Sequence, residues 1–298
     1  VNEIVDWVAL QLYRRLGLRS EFIQTDHGRC HVFQGTGSGE LGTVVLVHGL
    51  SARAAHYRGM VEPLLAQVDR LILPELLGHG RSVLPDHGLN GQRVVRSFVQ
   101  TLDQVLTGPA VIFGNSLGGY MALRYAHLRP ERVQGLFLSS PAGAPMDADR
   151  IVSFTDRFNV LDRERAMRLV ELGFAKPRFK GLLTWAARQQ FGTPAVMQLI
   201  DTLGPRDMLS VSMVAGLNMP VTFAWGTEER VLLPEHRAFF CKHLPDHSTI
   251  LEPEGWGHSP ITEVPESVAA ELIAFLHRVH DQAEWSTLDG PLPLPGDT

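Results

Sequence analysis

The chain has 298 residues, 44% of them hydrophobic and 20% charged, with a net charge of −5 at pH 7 and a pI near 6.2. That length suits one large domain or a domain with an insertion, and an acidic balance without a long basic block excludes a nucleic-acid-binding surface. No apolar run reaches the roughly 18 residues that a membrane-spanning helix needs, so no integral membrane segment is expected.

In chain order, Ile4, Val5, Trp7, Val8, Leu12, Tyr13 and Leu16 recur near helical spacing, which predicts a helix docked on the body of the domain rather than on a membrane surface. Residues 21–25 and 30–34 read as short strands, joined into a hairpin through Asp26-His27-Gly28. The glycine-rich stretch 35–39 lacks the lysine of a phosphate loop and is given no nucleotide role. A β-branched run at 43–47 has the composition of a fully buried strand and ends in His48-Gly49-Leu50-Ser51. A helical pattern over 57–68, a strand at 70–73, a polar loop at 78–82 and a helix near 92–106 follow. Then come a strand at 109–113, a helical pattern from Tyr120 and a strand at 133–138. This repeated alternation predicts a mostly parallel sheet with helices on both faces.

The alternation stops near Pro141. Residues 144–216 are helical in pattern and rich in large apolar groups: Phe154, Phe158, Met167, Phe174, Phe179, Leu183, Trp185, Phe191 and Met197 are candidate pocket-lining residues. An all-helical insertion late in an α/β chain suggests a lid over a site. The sheet resumes with a strand at 221–225, a helix near 234–243 and a strand at 248–251, and the last helix is expected over 266–279. The expected organisation is a core in two parts, 1–143 and 217–284, a helical cap at 144–216 and a loose tail at 285–298. Cys30 and Cys241 lie far apart without metal-ligand spacing and read as free thiols of a reducing, cytoplasmic compartment. The chain starts with Val, which leaves room for a trimmed targeting segment.

The chemistry centres on Gly114-Asn115-Ser116-Leu117-Gly118, a G-x-S-x-G pattern between a strand and a helix. So short a connection forces a sharp turn, and glycines two before and two after the serine leave room for it. Ser116 is the candidate nucleophile, and a serine hydroxyl needs a base to take its proton. His258 lies directly after the last predicted strand, on the sheet edge that also presents Ser116. The other histidines after the turn sit on helices or before a strand. The orienting acid should follow the 221–225 strand, where Glu228 and Glu229 both occur. Backbone N–H groups of Leu117, after the nucleophile, and Leu50, in the loop after the 43–47 strand, are the expected oxyanion donors.

Taken together, the G-x-S-x-G turn, the His48-Gly49 turn, the Gly78-His79-Gly80-Arg81-Ser82 loop, the late Gly226-x-x-acid and the Gly257-His258-x-Pro260 element resemble the α/β-hydrolase superfamily over nearly the whole chain. The resemblance implies an α/β-hydrolase fold: an eight-stranded, mostly parallel sheet with helices on both faces, a hairpin as its first two strands and a helical cap insertion after the sixth. It also implies a Ser-acid-His triad, usually without a cofactor; no metal-ligand cluster appears in the sequence, so no metal is expected. Glu229 occupies the position where the family usually has aspartate, so it is preferred over Glu228, with Asp147 and Asp149 as fallbacks. The proline expected four residues later is Pro234, five later. At 74–78 relatives often show Asp before Pro-Gly, whereas this chain has Pro74-Glu75, and only a structural consequence is expected.

The serine argues against dehalogenase and epoxide-hydrolase branches, which use aspartate at the turn. The expected activity is carboxylic ester hydrolysis of a small-molecule substrate, lipase- or carboxylesterase-like, through an acyl-enzyme. Carbon–carbon hydrolysis of ring-cleavage products is the main alternative, with Arg53 and Arg188 as candidate carboxylate ligands. Thioesterase, acyltransferase and cofactor-free peroxidase activities, and a non-enzymatic scaffold, are further readings. The oligomeric state is not legible.

Overall fold

The computed structural model describes residues 2–288. The elements run α1 (Asn2–Arg15), β1 (Arg19–Thr25), β2 (Gly28–Thr36), β3 (Thr43–Val47), α2 (Arg58–Leu65), β4 (Arg70–Pro74), α3 (Gly91–Val105), β5 (Ala110–Asn115), α4 (Leu117–Leu128) and β6 (Val133–Ser139). Next come α5 (Ala148–Thr155), α6 (Arg163–Gly173), α7 (Lys180–Phe191), α8 (Pro194–Asp201) and α9 (Val211–Ala215), then β7 (Val221–Ala224), α10 (Pro234–His243), β8 (Thr249–Leu251), α11 (Pro260–Glu263) and α12 (Pro265–Leu288).

Eight strands form one sheet in the order β1-β2-β4-β3-β5-β6-β7-β8. Strand β2 pairs antiparallel with β1 and β4, and every other pairing is parallel. This is the mostly parallel, eight-stranded sheet of the α/β-hydrolase fold. The hairpin closes where Thr25 pairs with Gly28 across the two-residue turn Asp26-His27, and Gly28, the first residue of β2, takes a positive φ of 146°.

Parallel strands are covered on both faces, and alternation along each strand divides the core into two layers. Val45, Val47, Ala110 and Ile112 point to the layer built on α3 and α4, whereas Val44, Leu46, Val111 and Phe113 point to the layer built on α1, α2 and α12. Helix α3 shows how the sequence dictates this. Its buried Val94, Phe98, Thr101, Leu102 and Val105 recur at three- and four-residue spacing, and the Asn90 side chain caps it by accepting from the Arg93 N–H.

One boundary and one burial pattern differ from expectation. The last helix runs on to Leu288, so the tail expected from Trp285 begins inside it; residues 289–298 lie outside the described residues. The N-terminal helix docks through Ala9 and Tyr13, while Trp7 and Val8 face outward, so its apolar residues do not share one buried stripe. Among the described residues no helix is long and apolar enough to cross a membrane.

Candidate active site

The turn from β5 into α4 is as tight as the glycine spacing implies. A Cβ on Gly114 would stand 2.4 Å from the Gly118 carbonyl oxygen, and one on Gly118 would stand 1.9 Å from the Val47 carbonyl oxygen. Only glycine lets the strand, the turn and the neighbouring β3 approach so closely. Ser116 sits at φ 55°, ψ −118°, outside the regions that L-residues prefer, and its backbone is held by the Ser139 carbonyl (3.0 Å) and by the N–H of Ala142 (3.0 Å). Helix α4 begins at Leu117, and the first N–H groups of a helix have no partner within it. Gly49, in the loop after β3, lies against Ser116: a Cβ there would be 3.3 Å from Ser116 Cβ. Leu50 follows it and lines the same cavity as Ser116, Leu117 and His258.

Of the carboxylates left open, one meets the histidine. His258 Nδ1 lies 2.7 Å from Glu229 Oε2, with the carboxylate fully buried and the imidazole 13% exposed. The other oxygen, Oε1, accepts from the N–H groups of Val231 (2.8 Å) and Leu232 (3.0 Å). The carboxylate thus folds back on its own loop and still reaches His258. Burial alone would raise the Glu229 pKa, but the His258 ring, the Leu232 N–H and the Ser140 hydroxyl together hold it below the ordinary carboxylate range. Glu228 instead pairs with Arg230 at 3.4 Å. Asp147 caps α5 through the Arg150 N–H, and Asp149 is exposed in its first turn.

The loops carrying the pair are tied together by backbone. Glu228 N–H donates to the Trp256 carbonyl (2.9 Å) and Thr227 N–H to the Pro253 carbonyl (3.2 Å). Two residues beside the site were not singled out from sequence. Asn115 donates through Nδ2 to the carbonyls of Ser139 and His258, both at 3.2 Å, linking the turn to the histidine loop. Ser140, buried and at φ 40°, is the hydroxyl that reaches Glu229. Asn115 lies inside the G-x-S-x-G pattern, where its side-chain chemistry was the available signal; nothing local marks Ser140. No hydrogen bond joins Ser116 to His258 among the described residues, and such contacts often tighten only when substrate enters.

A cavity of about 270 Å³ opens over these groups, with walls mostly of apolar side chains from the helices between β6 and β7. Phe154, Phe158, Phe174, Leu183 and Phe191 line it as expected of them. Met167, Phe179, Trp185 and Met197 do not, and the last three are exposed, because helical periodicity alone does not tell which side of an insertion faces the sheet. Neither candidate carboxylate ligand reaches the cavity: the Arg53 guanidinium pairs with Asp6 at 2.7 Å, and Arg188 donates to the Leu161 carbonyl. Glu75 is not a bystander either. It is buried and accepts from His31 Nδ1, the Ala54 N–H and the Arg81 N–H. Among the described residues no group of three or more His, Cys, Asp or Glu stands where it could hold a metal ion.

The sheet order, the strained serine at the strand–helix turn and the buried His–carboxylate pair define a protein of the α/β-hydrolase class. The chain belongs to the alpha/beta hydrolase family, whose model matches residues 44–271. It is 26% identical to the monoacylglycerol lipase ABHD6 of Bos taurus over 93% of this chain and 87% of that protein. Among solved structures it resembles a putative lipase (lip1) from Acinetobacter baumannii AYE, with a TM-score of 0.77, 20% identity, and coverage of 93% of this chain and 97% of that one. It also resembles the 2-hydroxy-6-oxo-6-phenylhexa-2,4-dienoate hydrolase of Rhodococcus sp. strain RHA1, with a TM-score of 0.72, 19% identity, and coverage of 88% and 99%. At these identities the two structures speak for the fold alone, and that fold is common to a lipase and a dienoate hydrolase.

Proposed function

We propose that this protein is a serine carboxylic ester hydrolase acting on neutral esters with an apolar acyl group. Ser116 is the nucleophile, His258 the general base and Glu229 the orienting acid; Leu50 and Leu117 supply the oxyanion N–H groups. The observation that carries the reading is the 2.7 Å His258–Glu229 contact at the wall of the cavity that also exposes the strained Ser116.

In this mechanism Ser116 Oγ attacks the ester carbonyl carbon while His258 Nε2 takes the hydroxyl proton. The developing oxyanion accepts from the Leu50 and Leu117 N–H groups, at the positive end of the α4 dipole. Glu229 holds Nδ1–H and stabilises the charged ring without taking its proton. The carbonyl re-forms, the carbon–oxygen bond to the alcohol breaks, and His258 returns the proton to the departing alcohol. Water, deprotonated by His258, then attacks the acyl-enzyme and releases the acid. Helices α5–α9 act as a lid that excludes bulk water.

Ester is favoured over a ring-cleavage dienoate by charge. A carboxylate entering a mostly apolar cavity needs a cation, and among the described residues no arginine or lysine lines this one. The lipase names among the relatives point the same way. The test is a series of p-nitrophenyl esters of rising chain length beside a ring-cleavage dienoate, with fluorophosphonate labelling of wild type and Ser116→Ala. Ester turnover, no dienoate turnover and labelling of the wild type alone are expected. Equal labelling of both proteins would sink the nucleophile assignment, and dienoate turnover the substrate class.

A further inference from the structure

The loop that carries Leu50 is held from outside the cavity. It leaves β3 at His48 and turns at Ser51, which takes a left-handed φ of 61°. A non-glycine residue keeps that conformation only when its surroundings over-determine it. The restraint sits two and three residues downstream of Ser51, at Arg53 and Ala54. The Ala54 N–H donates to Glu75 Oε1 (3.1 Å), and the Ala54 carbonyl accepts from the Tyr13 hydroxyl of α1 (2.8 Å). The Arg53 side chain is buried and ends on Asp6 of α1 at 2.7 Å. Glu75 is itself fixed, with Oε2 accepting from the Arg81 N–H (2.7 Å) and His31 Nδ1 (3.0 Å). Two polar contacts from one helix therefore reach adjacent residues of the loop, and none of the described side chains of α1 lines the cavity.

An ion pair with one partner buried and the other partly buried is a poor source of stability, since apolar groups of equal volume often serve as well. What it supplies is direction: a guanidinium on a carboxylate fixes where the backbone behind it must lie. We infer that α1 is a positioning element for the oxyanion loop, with Asp6 and Tyr13, acting through Arg53 and Ala54, as positioning residues that set the Leu50 N–H. The inference rests on the ester-hydrolase reading for its catalytic readout, and on the loop contacts alone for its structural one.

The test uses the full chain with Asp6→Ala, Tyr13→Phe and the conservative Asp6→Glu. Turnover of p-nitrophenyl butyrate is expressed per fluorophosphonate-labelled site, so that misfolded protein does not count. Hydrogen exchange is followed over 49–56 and, as a control, over 114–118. Asp6→Ala and Tyr13→Phe should lower kcat per labelled site about 10- to 100-fold with KM within about twofold, short of the roughly 10²–10³ that losing a whole donor costs. Exchange over 49–56 should rise while 114–118 stays as in wild type, and Asp6→Glu should recover most of kcat. Unchanged kcat per site and unchanged exchange over 49–56, with only a lower Tm, would overturn the inference and leave the ester reading standing. A wild type without ester turnover, whose loop exchange still rises in both variants, would overturn the ester reading and leave the positioning role standing.

Discussion

At the scale of single residues the site turns on where charge and polarity are buried. Glu229 has both oxygens occupied, one by His258 and one by two backbone N–H groups. Glu229→Gln should therefore lower kcat by at least about a hundredfold, because a misoriented imidazole loses its tautomer and its charge stabilisation together. Glu228→Gln and Asp147→Asn, whose side chains engage Arg230 and the α5 N-terminus, should stay within a few-fold of wild type in the same ester assay. His236 presents the opposite situation. It is 1% exposed, packs on Phe154 at the cavity wall, and neither ring nitrogen has a hydrogen-bond partner among the described residues. An unpartnered buried polar group costs about 1–3 kcal/mol, so His236→Leu should raise the urea midpoint at pH 7. A lower midpoint would mean that the ring is satisfied by a group the protein does not supply.

At the scale of elements, the turn between β5 and α4 has no slack. Gly118→Ala would push a methyl group against the Val47 carbonyl of β3, so soluble yield and fluorophosphonate labelling should both collapse. Gly181, in the first turn of α7, is exposed, and a methyl group added to it would meet nothing within 4 Å. Gly181→Ala should stabilise by about 0.5–1 kcal/mol through helix propensity alone, read as a small rise in Tm with ester turnover unchanged. The same substitution thus separates a glycine required by close approach from one that only loosens a helix. The sequence pattern around Ser116 pointed to the first, because strand, turn and helix lie within one short segment. Which of the large apolar residues of α5–α9 line the cavity was not legible, because that depends on how the helices settle on the sheet edge.

For the whole molecule, buried ionisable groups set the response to acid. Burial lowers the pKa of His79 and His236 from 6.5 to about 4, and burial with the neighbouring His79 lowers that of His48 to about 3. These rings are neutral in the fold, whereas in the unfolded chain they take up protons near 6.5. Between those values the unfolded state binds more protons, so stability falls as pH drops from 6.5 toward 4. Glu75 and Glu229 have lowered pKa values despite burial, so their contribution is present above 4.5 and is lost further down as they protonate. Urea midpoints should therefore decline steadily from pH 6.5 to 4 and more steeply below. A flat midpoint from pH 6.5 to 5 would contradict the neutral histidines.

The sequence by itself determined the strand–helix alternation, the hairpin, the strained turn at Ser116 and the candidate base at His258. Each of these is written in residues close together along the chain: side-chain period, turn glycines, a polar residue just past a strand. Tertiary structure decided which carboxylate meets His258, that Ser140 and Asn115 brace the pair, that Arg53 turns away from the cavity to Asp6, and that Glu75 joins β2 to the Leu50 loop. Those pairings bring together residues distant in the chain, and they are chosen by burial. A charged group withdrawn from water must find a partner, and only the folded arrangement of loops decides which partner is within reach.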